Sequence, residues 1–400
     1  TTTALQNTIQ AKATFNNLIK NDFLNEEEKA FALSLGHVEG SKFIADLYMN
    51  KQKNLDKVPS VKKMEVAIFC KVIDNFGDAG FCLRLARGLS NKVKIVRVYC
   101  DNTALLKKLY TFCNHRNHSM PKNLIVCKYD SEFQLGEIVS LSLVVEAFQA
   151  EPPIGFLRKI DNLGGVTRVI LDHLVTDMRM DSFQNKLAPD YKLLNYFVGC
   201  GWENSPSANR RWIAPGFSAM SAGLISNGWR KINSCVREQL RNEILNSKDT
   251  KIKKNYSTSL GRVFIVCVFL YEMNDFFLQC PIPKGFDSLA LWVPKSIVMN
   301  QVDFDCALQS CDFNYVRGED SFLSAHNAAA SQWKVPFVWQ PYFEKNKGHV
   351  RKFEGWKKIF PEDKFRSYLE FTTLVATRKN SDFVDKWKRL ICEWYLFRIN

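Results

Sequence analysis

The sequence predicts an α/β protein of two doubly wound units facing a cleft, with a helical piece ahead of them. Three observations carry this expectation. Apolar runs of strand length alternate with stretches of helical spacing from Met64 onward, which is how a parallel sheet wrapped by helices reads. Two of the runs end in charged strand-to-helix turns, one in each half of the chain. At 400 residues, the chain also exceeds what one hydrophobic core usually serves.

In chain order, Ala4–Ile19 and Glu26–Tyr48 have helical composition. The polar, Lys-rich stretch Asn50–Lys63 separates them from the first core strand, so residues 1–60 read as a helical extension of unknown role. The first α/β unit, residues 61–209, reads as strand Val66–Val72, helix Ala79–Leu89, strand Val93–Tyr99 and helix Thr103–Tyr110 behind Asp101 as cap, followed by strands Leu141–Val145 and Val166–Leu171. The second unit, residues 210–375, holds a fully apolar strand in Val263–Tyr271, a short helix Phe304–Cys311 and strands Phe313–Val316 and Phe337–Gln340. Residues 376–400 close the chain with Asp382–Arg398, rich in Trp, Leu, Ile and Lys at mixed helical spacing.

The two charged turns are the candidate site. In the first, the β-branched run from Glu65 stops at Asp74-Asn75-Phe76-Gly77-Asp78, and Phe81, Cys82, Leu85, Ala86 and Leu89 then recur at helical spacing. Asp78 falls at the helix start, where the dipole keeps it ionised, and Asp74 lies on the loop. In the second, Arg317, Glu319, Asp320 and Ser321 follow an apolar strand and precede the small helix formers Ser324–Ser331. Backbone N–H groups and the positive end of a helix favour an anion there, most commonly a pyrophosphate. Each turn also has a plain reading as a capped helix, with Asp78 as one N-cap and Asp320 or Ser321 as the other.

Composition narrows the class. The longest apolar run, Val263–Tyr271, is far too short to span a bilayer, and the first residues lack the apolar centre of a signal peptide, so no membrane partner is expected. The 12 cysteines include no Cys-x-x-Cys pair and several stand in apolar surroundings, which reads as buried thiols in a reducing cytoplasm. Cys113, His115 and His118 lack a fourth ligand and sit among polar residues, so they read as solvated. The net charge of +14 is spread along the chain without a zinc-finger or aromatic RNA-binding signature, so no stable nucleic-acid partner is expected. A diffuse positive field equally draws in an acidic protein or a nucleotide-sugar.

Together, the runs Ile68-Phe69-Cys70-Lys71-Val72-Ile73-Asp74-Asn75-Phe76-Gly77-Asp78 and Arg317-Gly318-Glu319-Asp320-Ser321-Phe322 resemble the bacterial protein-arginine rhamnosyltransferases that modify elongation factor P, the EarP family. Shorter matches follow the same order: Val144–Phe148 leading to Glu151-Pro152, Pro215-Gly216-Phe217 ahead of Ser221–Leu224, and Lys334–Trp339. The resemblance covers roughly residues 64 to 345, and its two main motifs are far more specific than a lone Gly-rich loop. It implies two Rossmann-like domains of the GT-B glycosyltransferase architecture, with the last helix crossing back onto the first domain. It also implies dTDP-rhamnose as donor, an arginine of elongation factor P as acceptor, and no other cofactor.

An arginine acceptor needs its nitrogen oriented and its proton accepted, because a guanidinium stays protonated at neutral pH. By the resemblance, Asp78 is the general base and Asp74 holds the guanidinium. Arg317, Glu319, Asp320 and Ser321 surround the ribose and diphosphate, Phe304 holds the base and Gln301 makes a neighbouring polar contact. A single displacement would invert the β-linked donor to an α-rhamnosyl arginine. Asp303-Phe304-Asp305 spells the Asp-x-Asp of metal-dependent enzymes, but its place at a helix start favours capping, and no metal is expected. The sequence departs from the family in its N-terminal extension, in Val302 where a Gln is common, and in Asp172-His173-Leu174 where the family carries Glu-Tyr. His173 reads as a satisfied helix-start histidine. Two other functions fit the same residues: a two-Rossmann enzyme with a lipid or small-sugar acceptor, and a basic nucleic-acid-binding protein without catalysis.

Overall fold

The structure, a computed structural model, describes residues 26–34, 64–73, 76–111, 120–129, 140–163, 165–188, 210–218, 221–225, 230–254, 261–271, 279–294, 299–343, 348–378 and 382–399. The chain divides into two compact units, Thr1–Lys63 and Met64–Asn400. In the first, the described residues form helix α1 (Glu26–Ser34).

The second unit holds two sheets. The first contains β1 (Glu65–Cys70), β2 (Ile95–Cys100), β3 (Leu124–Lys128), β4 (Leu141–Ala147), β5 (Thr167–Leu171) and β6 (Arg210–Ile213) in the order β3-β2-β1-β4-β5-β6, all parallel. This is the Rossmann order, with its crevice outside the carboxyl ends of β1 and β4, where the chain winds off to opposite edges. Every residue of β1 is buried. Val66, Ile68 and Cys70 pack on one face with α2 (Phe76–Ser90), while Ala67 and Phe69 pack on the other with Phe156 and Ile160 of α4 (Ile154–Leu163). Burial on both faces explains why β1 reads as a continuous apolar run rather than an alternation.

α2 begins three residues earlier than its apolar spacing predicts. Helix α3 (Thr103–Thr111) is capped by Asn102, whose Oδ1 accepts from the Leu105 N–H at 3.1 Å, and not by Asp101. Asp101 instead accepts the Val72 N–H at 3.0 Å, so it braces the loop after β1. The domain boundary expected at residue 210 also shifts, because β6 pairs with β5 and belongs to the first sheet. Buried Glu146 of β4 receives Arg168 of β5 and Arg210 of β6, a cross-strand charge ladder that draws in the last strand.

The second sheet contains β7 (Thr250–Lys254), β8 (Val263–Val268), β9 (Ser288–Trp292), β10 (Phe313–Arg317) and β11 (Phe337–Gln340) in the order β11-β10-β8-β9-β7, parallel except for β7 at the edge. β8 leads to β9 on one side and β10 to β11 on the other, which places this crevice at the carboxyl ends of β8 and β10. Around the sheet lie α5 (Ser234–Leu245), α6 (Gln301–Ser310), α7 (Asp320–Ala330), α8 (Gly348–Lys357) and α9 (Glu362–Ala376).

The final helix, α10 (Phe383–Ile399), is expected to cross back onto the first domain, but its described buried side chains pack on the second. Phe383, Trp387, Leu390 and Ile391 are buried in the core of the second sheet. The Trp387 ring stacks on Tyr315 and meets Phe313 edge-on, an aromatic site that only the tertiary fold assembles. Helix α8 also touches the first domain, where the Thr176 hydroxyl donates to the Lys352 carbonyl at 2.8 Å and Gly355 lies so close that a Cβ would sit 2.5 Å from the Thr176 oxygen. Trp387→Ala is expected to destabilise the second domain by about 3–5 kcal/mol through the cavity it leaves. Chemical unfolding of the variant reads this, and an unchanged midpoint would place α10 outside the core.

Candidate active site

The loop after β1 is held from both sides. Asp78, in the first turn of α2, is 5% exposed, and its Oδ2 accepts the Ile73 N–H at 2.9 Å. Its carboxylate therefore closes the turn and also faces the crevice. Asp74 lies outside the described residues. Across the crevice, the loop after β4 carries Phe148 and Gln149 at φ +54° and +66°. For a side chain as large as phenylalanine this left-handed backbone is strained, and such strain gathers at functional sites. The turn holds the Phe148 ring against Phe81 and flat on His173, with centroids 4.4 Å apart.

On the second sheet, β10 ends at Arg317, and Gly318 turns the chain at φ +60°, where a Cβ would meet the Tyr271 hydroxyl at 2.9 Å. Glu319 occupies the N-cap position of α7 but makes no capping bond with its side chain, and neither Asp320 nor Ser321 is the cap. The Glu319 carboxylate crosses to the first domain instead. There it accepts the Leu174 N–H at 2.9 Å and lies 3.7 Å from His173 Nδ1, and within its own domain it takes the Lys352 ammonium of α8 at 2.8 Å. Burial pushes this carboxyl up, but His173 and Lys352 outweigh it and hold it down to about 2. Burial in turn pulls His173 down, and its contact with Glu319 outweighs that and raises it above the usual 6.5. His173 is thus a loop residue after β5 paired to a carboxylate, not a helix-start histidine.

Asp78, Phe81, Phe148, His173, Glu319 and Tyr342 share the wall of one cavity of about 510 Å³ between the two crevices. Carboxylates on opposite walls suit a cationic group between them, and the aromatic surfaces lower the local dielectric and strengthen that attraction. Beside the cavity, the Arg317 guanidinium stacks over Phe269 at 4.4 Å and Tyr271 at 4.8 Å and donates to the Leu270 carbonyl at 2.9 Å. Phe304 packs on Phe269 with centroids 5.2 Å apart. An aromatic platform with a fixed cation therefore stands at the switch point of the second sheet. Ser321 braces the same turn, its Oγ bonded to both the N–H and the carbonyl of Arg317.

Gln301 and Asp320, both expected to contact a donor, also make contacts between the two domains. Gln301 Nε2 donates to the Gly80 carbonyl at 2.7 Å and to Asp320 Oδ1 at 3.1 Å, and Asp320 accepts from Arg84 Nε at 3.0 Å. Both side chains are committed to the helix that carries Asp78. The Asp-x-Asp pair is likewise divided. Asp305 is paired with Arg84, while Asp303 sits at the third residue of α6, its N–H bonded to the true N-cap, Asn300. Among the described residues, no three His, Cys, Asp or Glu side chains gather as a metal site would require, and Cys113, His115 and His118 lie outside them.

The sequence reading assigned no role to Phe148, Phe269, Tyr271, Lys352 or Arg84. Arg84 carried a usable signal, since it stands three residues after Phe81 on the buried face of its helix, where a charge demands a partner. Lys352 carried none, because its partner is 33 residues away on another element.

Depression of the Glu319 carboxyl makes its contribution to stability pH-dependent with a definite sign. The advantage of the wild type over Glu319→Gln should be complete above about 4.5, shrink as the pH falls and vanish near 2. Urea unfolding of the two proteins across that range measures it, and a difference that stays constant with pH would remove the charge pairing as its source.

Residues 66–278 and 283–397 match the family described as Elongation-Factor P (EF-P) rhamnosyltransferase EarP. A protein-arginine rhamnosyltransferase of Pseudomonas putida is 43% identical over 331 residues, covering 72% of this chain and 79% of that protein. One from Shewanella oneidensis is 24% identical over 346 residues, covering 73% and 80%. Among solved structures, the glycotransferase of kitacinnamycin aligns over 84% of this chain and 96% of its own at 10% identity, with a TM-score of 0.37. With two doubly wound sheets facing one cleft, a carboxylate at the first switch point and an aromatic and cationic platform at the second, the chain belongs to the EarP family of elongation factor P rhamnosyltransferases.

Proposed function

We propose that this protein transfers rhamnose from dTDP-β-L-rhamnose to an arginine side chain of elongation factor P. One observation supports the reading above the others: Asp78 and Glu319, brought from opposite domains, face a single partly apolar cavity where the two switch-point crevices meet. A guanidinium between them would be held by charge and hydrogen bonds and shielded from water by Phe81 and Phe148.

In the proposed step, a guanidinium nitrogen attacks the anomeric carbon of rhamnose and forms the new C–N bond. The bond from that carbon to the diphosphate oxygen breaks on the opposite side, and dTDP leaves with the electron pair. Asp78 takes the proton that the nitrogen loses, which lets a group that stays cationic in water act as a nucleophile. Displacement on one face converts the β-linked donor to an α-rhamnosyl arginine. Arg317 and the backbone N–H groups at the start of α7 offset the charge of the departing diphosphate, and Phe304 and Phe269 supply the surface for the base. No metal is assigned a part. Asp74, by the family pattern, holds the guanidinium beside Asp78.

Incubation of this protein with elongation factor P and dTDP-rhamnose, followed by intact-mass measurement, is expected to show the gain of one deoxyhexose, with and without EDTA. Transfer to a small sugar and not to the protein would favour the other acceptor class. Asp78→Asn is expected to eliminate the gain while dTDP-rhamnose affinity stays within a few fold, because the base touches the acceptor nitrogen. If calorimetry shows donor binding lost instead, Asp78 belongs to the donor site.

Arg317→Ala should weaken dTDP binding by about 1–3 kcal/mol, the worth of a charge-assisted contact. Unchanged affinity would leave the Phe269–Tyr271 stack as its whole role.

A further inference from the structure

A buried charge cluster lies outside the cavity. Arg84 of α2 is buried, and its guanidinium reaches helices α6 and α7 of the other domain. Nη1 donates to Asp305 Oδ2 at 2.8 Å, Nε to Asp320 Oδ1 at 3.0 Å and Nη2 to Ser324 Oγ at 3.1 Å, and Ser324 donates onward to Asp305 at 2.7 Å. Gln301 makes a second crossing, from the start of α6 to the Gly80 carbonyl. Arg87 reaches Gln301 Oε1 at 3.4 Å. The helices are in such close contact that a Cβ on Gly80 would lie 3.0 Å from Asp320 Oδ2 and 3.3 Å from Gln301 Nε2.

Each end of this cluster is tied to one wall of the cavity. Asp78 stands on α2 six residues ahead of Arg84, and Glu319 is the residue next to Asp320. Buried ion pairs add little stability over well-packed apolar residues, because desolvation of the charges offsets their attraction. What a forked guanidinium supplies is register, since its donors accept carboxylates in only one orientation.

We propose that Arg84 is a positioning residue for the transfer reaction, clamping the helix of Asp78 to the turn of Glu319 and so setting the separation of the two carboxylates across the cavity. This rests on the reading of Asp78 and Glu319 proposed above. It also gives Asp320 and Gln301 a function at the joint between domains.

Two variants separate positioning from stability. Arg84→Met combined with Asp305→Leu removes the more enclosed charge pair together, and Asp320 keeps its hydrogen bonds from Gln301, so thermal unfolding should stay close to wild type. Gly80→Ala replaces the poorest unbranched helix former with the best one while pressing on Asp320 and Gln301, so it should not lose helix stability. In both, kcat for rhamnosyl transfer to elongation factor P should fall by about 10- to 100-fold, the range that follows from misplacing reacting groups by an ångström or less. The KM for dTDP-rhamnose should move by less than about threefold. Full kcat in both variants, or a loss of activity that only tracks a loss of folded protein, would overturn the clamp. If the wild type itself transfers nothing, the functional reading fails and the clamp is read by hydrogen exchange. Amides over Phe76–Gly80 should then exchange faster in the double variant while β1 and β10 keep their protection, and unchanged exchange over Phe76–Gly80 would overturn it.

Discussion

Both sheets are parallel through their centres and sealed by helices on both faces, so their strand interiors hold almost nothing but apolar side chains. Backbone groups within the strands are paired laterally, and polar chemistry is pushed to the strand ends. The residues of the site obey this constraint closely. Asp78, Phe148, His173, Arg317 and Glu319 all lie at or just beyond the carboxyl end of a strand. Two sheets that meet through those ends create one cavity whose opposite walls have different owners, which is the arrangement a two-substrate reaction needs.

Charge in this protein is mostly structural before it is functional. Arg168 and Arg210 meet buried Glu146, Arg237 and Arg241 meet Asp312 at the start of β10, and Arg84 meets Asp305 and Asp320. These guanidinium groups are largely withdrawn from the surface together with the carboxylates they meet, so they add little to the field outside the protein. The same pairing logic reaches the cavity. Glu319, held down to about 2 by His173 and Lys352, stays anionic across the physiological range even though it is mostly buried.

The joint between the domains shows the difference between holding and placing. Leu174 from the loop after β5 enters the second core and Leu323 of α7 enters the first, so apolar exchange already binds the two halves. Arg84, Gln301 and Gly80 add directional contacts whose geometry is stricter than their energy is large. An enzyme whose site is shared by two domains gains from that combination, because apolar packing alone tolerates small sliding while a forked ion pair does not.

Local chemistry wrote much of this into the chain. The apolar runs of β1, β8 and β10, the helical spacing behind Asp78 and the charged turn at Arg317–Ser321 each depend on neighbours within a few residues, so α/β class, alternation and both site turns were legible. Contacts between distant elements were not. Asn102 and Asp101 compete for one cap, and the Val72 N–H that claims Asp101 belongs to the loop after β1. The amphipathic face of α10 shows that it must be buried but not against which domain, and the ring positions of Phe313 and Tyr315 decide it. Asp320 shares its carboxylate with a buried arginine 236 residues away, a pairing that no local pattern announces. By itself, the sequence determined which segments become strands and helices and which turns carry charge. Only the tertiary structure decided which charges face the cavity and which are consumed in holding it open, because burial and long-range pairing have no signature in local spacing.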